Sequence, residues 1–248
     1  MRISVVTVVY NSAESLKITI DSIKSQSYKD IEYIVVDGAS TDETIKIAKE
    51  NCNVINIFVS EKDDGIYDAM NKSLSFVSGE WVVFLNAGDI FYQNDTLEKI
   101  AEHIRKTQHL QPDIIGGGVM FDIEGKLIKC PVKSFEKKWI SMPSCHQSTF
   151  FKASLHKQYP YNKEYKICAD HDLILRLLNK NAVFNSYDEI ISIFKWDGLS
   201  ANNRIKLYQE KLAIAKKHKA PLKFVIMIRF IIIKLMIAKF LRKVGVRK

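Results

Sequence analysis

Little in this sequence would stiffen, cross-link or anchor a chain. Ten glycines and five prolines among 248 residues exclude collagen-like repeats and Pro/Gly-rich disorder. The four cysteines, Cys52, Cys130, Cys145 and Cys168, lie far apart with no Cys-x-x-Cys pair. Neither a zinc knuckle nor a disulfide framework is indicated, and reduced thiols of a cytoplasmic protein are expected. His146 and His171 have no third ligand at a zinc-like spacing. A spanning helix needs about 20 mostly apolar residues, but the apolar stretch 222–241 is broken by Lys223, Arg229, Lys234 and Lys239. The opening run Ile3–Val9 meets Tyr10-Asn11 without a small-residue cleavage site, so it reads as a first strand and not as a signal peptide.

Acid is missing from one end. Residues 211–248 hold twelve Lys and Arg and no Asp or Glu, while residues 1–210 hold 25 basic and 28 acidic residues. The net charge of +9 therefore belongs to the tail, which suggests an anionic partner, nucleic acid or membrane.

Apolar residues make up 47% and charged residues 26%, enough for a globular chain that buries roughly 70% of its unfolded surface. Strand and helix signals alternate through the first half. Strands are expected at Ile3–Val9, 31–36, 54–60 and 81–85, with helices at 12–25, 41–51, 65–78 and 96–107. Ser12 or Ser15 would cap the first helix and Asp64 the third. Continuous β-branched strands alternating with helices imply a parallel sheet covered on both faces. The second half is less regular: short strands at 113–118, 119–122, 127–131 and 146–152, a helix at 173–178, one or two strands over 182–194, and a helix at 204–218. The compositional break lies near Ala220-Pro221.

Open α/β sheets gather ligands at the carboxyl ends of their strands. Four polar clusters follow the first four strands: Tyr10-Asn11, Asp37-Gly38-Ala39-Ser40, Glu61-Lys62-Asp63-Asp64 and Asn86-Ala87-Gly88-Asp89. They should converge on one edge of the sheet.

Together with Asp64-Gly65-Ile66-Tyr67-Asp68-Ala69-Met70-Asn71-Lys72, Gly79-Glu80-Trp81 and Ala169-Asp170-His171-Asp172, these segments resemble family 2 of the inverting glycosyltransferases. That family includes chitin and cellulose synthases and many bacterial polysaccharide transferases. The resemblance covers about residues 1–200 and is nearest to the branch that builds O-antigen, capsule and colanic-acid-like polymers. It implies an α/β protein of GT-A fold. Expected are a Rossmann-like, doubly wound, mostly parallel central sheet, a smaller mixed acceptor-side region and a C-terminal helical extension. The expected division is a transferase domain over 1–215 and a basic apolar helix over 216–248.

The implied donor is a nucleoside diphosphate sugar, expected to be a UDP-sugar. Tyr10, Asn11, Asp37, Asp64, Asp68, Asn71, Asn86 and Asp89 would bind it. Asp37 reads either as a base or ribose ligand or as a turn-closing Asp, and Gly38 stands where the family more often has a second Asp. A diphosphate needs its charge neutralised as the sugar leaves, which a hard divalent cation, Mn²⁺ or Mg²⁺, does with few protein ligands. Asp89 is the candidate ligand, although Asn86 and Gly88 sit where carboxylates often do. Inversion needs a carboxylate to take the acceptor proton. Asp170 matches the family's Glu-Asp signature, with Ala169 in place of Glu. Asp172 is either an acceptor contact or a helix N-terminal charge set against the dipole. His146, Gln147 and Trp196 are candidates for the acceptor wall, with a core role as the competing reading of Trp196.

On an ideal wheel of about 100° per residue, the four tail cations fall near 0°, 20°, 160° and 240°, so no clean amphipathic stripe emerges. A basic interfacial helix on an anionic membrane fits nevertheless, since Lys and Arg stems snorkel. Packing on the body or on a second subunit of a homo-oligomer is the alternative. The expected acceptor is a lipid-pyrophosphate-linked saccharide, and the expected place is the inner face of the plasma membrane, with the enzyme peripheral. Rival readings are a non-catalytic nucleotide-sugar-binding protein, a nucleic-acid-binding protein using the tail, and a nucleotidyltransferase, against which the lack of a Gly-rich phosphate loop with Arg or Lys counts. Apolar residues between the cations, with no recognition motif, argue against nucleic acid.

Overall fold

The computed structural model describes residues 1–195 and 203–243. Its first half alternates strand and helix: β1 (Ile3–Val9), α1 (Ala13–Lys24), β2 (Ile31–Asp37), α2 (Thr44–Glu50), β3 (Ile57–Ser60), α3 (Ile66–Ser73) and β4 (Trp81–Phe84). The four strands run parallel in the order β3-β2-β1-β4. Every residue of β1 is buried, so the sheet needs cover on both faces. Leu16, Ile20 and Ile23 of α1 supply one side, against Val5, Tyr33 and Val83, and Ala69 and Met70 of α3 join Val6, Ile34 and Phe84 on the other. α3 stops at Ser73, short of the expected 78: the N–H groups of Leu74, Ser75 and Phe76 close three-residue turns on Asn71, Lys72 and Ser73, and Ser78 then folds onto Glu32. That buried carboxylate accepts the backbone N–H of Ser78 and the hydroxyls of Ser4 and Ser78.

The second half is mixed. It contains β5 (Ile90–Phe91), α4 (Thr96–Lys106), β6 (Ile114–Ile123), β7 (Lys126–Cys130), β8 (Thr149–Lys152), α5 (Ala153–Gln158), α6 (Ala169–Leu178) and β9 (Phe184–Lys195). These continue the sheet as β4-β8-β6-β9-β5, with β7 hairpinned on β6. β8 is antiparallel to β4 and β6, and β9 is parallel to β6. β5 and α5 had no separate sequence signal. The two short strands expected at 113–118 and 119–122 are one strand with a bulge at Gly116–Gly118. A Cβ at Gly116 would lie 2.2 Å from the Phe184 ring, and one at Gly117 2.3 Å from Ile191 Cδ1, so the glycines let β9 cross close. The strand expected at 146–152 begins as a 3₁₀ turn, His146–Ser148, and becomes β8 only at Thr149.

The expected caps are corrected. Neither Ser12 nor Ser15 caps α1 through its side chain; the Ser12 N–H instead donates to Thr44 Oγ1 at 2.9 Å. Gly65, at φ 110°, begins α3 in place of Asp64.

Two helices end the described chain, α7 (Arg204–Lys217) and α8 (Leu222–Lys243). α7 runs through the expected 215/216 boundary. The break comes at 218–221, where Lys219 adopts φ 55°, the Ala220 N–H closes on the Ala215 carbonyl at 2.8 Å, and Pro221 follows. α7 packs Ile214 against Cys168 and Leu175. Among the described residues, no helix is long and apolar enough to cross a membrane.

Candidate active site

Parallel pairing aligns the first three strand ends, with Val9 opposite Asp37 and Asp37 opposite Ser60. Asp37 is fully buried there. It accepts the Ser40 N–H at 3.0 Å, the Ser40 hydroxyl, and the Ser60 hydroxyl at 2.6 Å. It thus closes the turn after β2 and fixes the loop that follows. Ala39 in this loop is left-handed at φ 62°, and so is Asn11 at φ 45°. Asn11 joins the first two strand ends by donating its N–H to Ser40 Oγ at 2.7 Å and accepting the Thr41 N–H at 2.8 Å. Tyr10 stands 63% exposed at the rim.

Gly38 has a local reason. A Cβ there would lie 2.6 Å from Asp63 Oδ2. The Asp63 carboxylate fills the space that a second Asp at 38 would have used. The sequence pattern named Asp64, which is exposed, rather than Asp63.

The bend after β4 is built by Thr19 of α1. Its buried hydroxyl accepts the Gly88 N–H at 2.9 Å and turns its proton to the Asp89 carbonyl at 2.9 Å and the Asn86 carbonyl at 3.2 Å. Gly88 takes φ 96°, a conformation that favours glycine. Asp89 is buried at the end of this bend.

Antiparallel pairing of β4 with β8, Val83 opposite Phe150, brings the residues before β8 alongside those after β4. His146 Nε2 therefore lies 3.0 Å from Asn86 Nδ2, and His146 Nδ1 lies 3.4 Å from Asp170 Oδ2. This line joins the donor-side strand end to the first turn of α6. Buried Asn86 Oδ1 has no hydrogen-bond partner among the described residues.

Asp170 is held low for a buried carboxylate. Burial favours its neutral acid, but the hydrogen bond and charge of His146, with the His171 N–H at 2.8 Å on Oδ1, keep it below the usual carboxylate range. Burial likewise works to lower the His146 pKa, and the Asp170 carboxylate, helped by Asp89, overcomes it and raises it. Tyr67 and Tyr161, ring centroids 5.2 Å apart, form an apolar floor close enough to Asp170 to feel its charge. The turn before α6 is anchored from a distance. The Glu210 carboxylate of α7 accepts the N–H groups of Lys166, Ile167 and Cys168 at 2.9–3.0 Å, doing for this terminus what an N-cap does locally.

Several expected site residues serve the frame instead. Asp172 is fully buried on another side of α6, bound to Arg176 Nε at 2.9 Å, Lys217 Nζ at 3.1 Å and His218 Nε2 at 2.9 Å. It locks α7 to α6 and faces away from the acceptor side, so the acceptor expectation for it is corrected. Asn71 is bonded both ways to the Tyr161 backbone, at 2.9 and 2.8 Å. Asp68 accepts Lys163 Nζ at 2.7 Å and the Asp64 N–H at 3.1 Å. Gln147 is buried beside His146. Trp196 lies outside the described residues.

Among the described residues, no three His, Cys, Asp or Glu side chains form a metal cluster. A single buried carboxylate at a strand end fits only an ion whose remaining ligands come from substrate oxygens and water.

A parallel sheet with polar strand ends and a carboxylate at a nearby helix N-terminus fits the GT-A fold of nucleotide-sugar transferases. The sequence profile described as Glycosyl transferase family 2 matches residues 4–169. The chain is 30% identical over 231 residues, 86% of its length and 85% of the relative's, to the "PGL/p-HBAD biosynthesis glycosyltransferase" of Mycobacterium tuberculosis. It superposes on the crystal structure of Staphylococcus aureus TarS 1-349 in complex with UDP-GlcNAc with a TM-score of 0.69 and 18% identity, covering 87% of this chain and 66%, just under two thirds, of that one. The mannosyltransferase PcManGT from Pyrobaculum calidifontis, in complex with GDP-Man and Mn²⁺, gives 0.68 and 19%, covering 93% and 69%. The chain belongs to glycosyl transferase family 2 and is a glycosyltransferase.

Proposed function

We propose that the chain is a divalent-metal-dependent, inverting hexosyltransferase acting from a nucleoside diphosphate sugar, with a UDP-sugar as donor. The observation that carries this reading is the line Asn86–His146–Asp170, which sets an ionised carboxylate against the donor-side strand ends. Tyr10, Asn11, Asp37 and Asp63 frame the nucleotide pocket, and Asp89 would hold Mn²⁺ or Mg²⁺, the metal seen with the archaeal neighbour being Mn²⁺. Bound there, the ion would neutralise diphosphate charge as the sugar leaves. Asp170 takes the acceptor hydroxyl proton as that oxygen attacks the anomeric carbon from the face opposite the nucleotide. Its pairing with His146 keeps it ionised and aimed before the acceptor arrives.

The acceptor is a lipid-pyrophosphate-linked saccharide in cell-surface polysaccharide synthesis, of the lipopolysaccharide or capsule kind, met at the inner face of the plasma membrane. The tail without acidic residues supports this reading. A screen of UDP- and GDP-sugars, read by nucleotide release with and without chelator, tests the donor and metal. NMR of the product's anomeric centre tests inversion. Donor binding without release in every condition would leave a nucleotide-sugar-binding protein, and a retained configuration would remove Asp170 from its role.

A further inference from the structure

The final helix has two apolar faces, and the fold uses one. Ile228 of α8 is fully buried and Val225, Ile232 and Leu235 are partly covered. On the other side Leu222, Ile226, Phe230, Ile233, Ile237 and Phe240 are 53–71% exposed. This division explains why the wheel showed no clean stripe: apolar residues face both inward and outward. On the same wheel Lys223 and Lys234 fall on one flank of the outward face and Arg229 on the other, about 140° apart. These three cations lie just inside the edges of the exposed arc, which Met227 and Met236 close, and Lys239 falls near 160°, on the side of Ile228.

We propose that this outward face of α8 lies flat in the surface of an anionic lipid membrane, with Phe230 and Phe240 inserted and Lys223, Arg229 and Lys234 reaching headgroups. The competing occupant is a second copy of this chain. Ile226, Phe230, Ile233, Ile237 and Phe240 recur at intervals of 4, 3, 4 and 3, the spacing of a coiled-coil seam. In a parallel pair on that seam Arg229 would face the partner's Lys234, and no acidic residue in 211–248 offers a counter-charge in any other pairing. Like charges along such a contact oppose it, whereas an anionic surface satisfies all of them. The helix is also placed to matter for catalysis. α8 packs on α7, and α7 holds the turn before Asp170 through Glu210. A membrane-bound α8 would therefore bring the acceptor side of the enzyme to the bilayer.

The inference deepens the lipid-linked acceptor reading and rests on it only for its purpose, because vesicle binding is read without catalysis. The test is flotation of the full chain with vesicles of phosphatidylglycerol and phosphatidylcholine against pure phosphatidylcholine. Binding is expected on the anionic vesicles and should weaken, without vanishing, in high salt, since apolar insertion is not screened. Phe230→Ser with Phe240→Ser should abolish the salt-resistant part. Lys223→Gln, Arg229→Gln and Lys234→Gln together should lower low-salt affinity about a hundredfold. All five residues are exposed, so melting temperature and metal-dependent donor hydrolysis should match wild type. Equal binding to both vesicle types would overturn the proposal. So would a dimer in sedimentation that the Phe variants dissociate while vesicles bind neither form. If vesicles bind as expected and lipid-linked acceptors still fail, the surface stands and the acceptor reading falls.

Discussion

The two halves of the sheet position their polar groups by different means. On the donor side, paired strand ends and one helix supply the order, and Thr19 reaches across 70 residues to Asp89. Asp37 is held by Ser40 three residues on and by Ser60 on the paired strand, and parallel register alone aligns the strand ends. On the acceptor side, single side-chain bridges between separate elements supply it. Asp170 is set by His146 twenty-four residues earlier and by Glu210 forty residues later, and Asp172 is locked by Lys217 and His218. A register shared by several strands survives changes elsewhere in the chain, whereas a single side-chain bridge fails when either end moves. Ionisable groups buried on the acceptor side should therefore report separately on chemistry and on packing.

The largest expected contrast is between Asp170 and Asp172, two residues apart on α6. Asp170→Asn should cut turnover by about 10²–10⁴-fold with donor affinity unchanged, measured by nucleotide release and donor titration. Asp172→Asn should instead lower unfolding free energy by about 3 kcal/mol, as breaking a buried ion pair does, with turnover per folded molecule kept. A folded, inactive Asp172→Asn beside an active Asp170→Asn would reverse the two roles.

Asp89→Ala tests the donor side at its strand end. It should lower metal-stimulated transfer about a hundredfold or more and weaken metal-assisted donor binding. Chelator should do the same to wild type. Full turnover of wild type in chelator would remove the metal from the reaction.

His146→Gln breaks the bridge between the halves. Losing a hydrogen bond to a charged group is worth about 1.5–3 kcal/mol, so turnover should fall at least about tenfold, with donor affinity kept and the pH profile moved as Asp170 loses its imidazole partner. An unaltered pH profile would leave His146 a packing residue.

The same division explains what could be read from the sequence. The parallel half was legible because its strands are continuous β-branched runs and its polar clusters directly follow them. Its fine detail was less so: Asp63, not Asp64, meets Gly38, because a loop's φ/ψ angles and not its composition choose which of two adjacent carboxylates turns inward. His146 and Asp170 on the acceptor side and Asn86 on the donor side each carry a sequence signal, but their contact depends on the antiparallel β4–β8 register, which no local pattern specifies. Asp172 was misplaced among the acceptor ligands because its partners lie on α7, some 45 residues away. The bulged β6 read as two strands because its Gly116-Gly117-Gly118 run marks a close approach by β9 that is itself remote in sequence.

The smallest predicted effect asks whether acid sensitivity belongs to the acceptor half. His156 of α5 is fully buried in a box of Phe84, Phe151 and Tyr161, with ring centroids 4.7–5.5 Å away. Neither ring nitrogen has a hydrogen-bond partner among the described residues. Burial lowers its pKa to about 4, against about 6.5 for an unfolded chain. The folded state thus keeps His156 neutral while the unfolded state takes up a proton. Its contribution to stability is complete above the unfolded value and is lost as pH falls through the window between the two. From about pH 7 to about pH 5.5 the loss should be about 1 kcal/mol. Denaturant titrations of wild type should show it, and His156→Leu, whatever its own cost in packing, should flatten the slope of stability against pH by that amount. His171, also lowered to about 4 by burial, remains in both proteins and adds to the residual slope, which the raised His146 opposes. An equal slope in the two proteins would mean that water reaches His156 in the folded state and that the box around it is not closed.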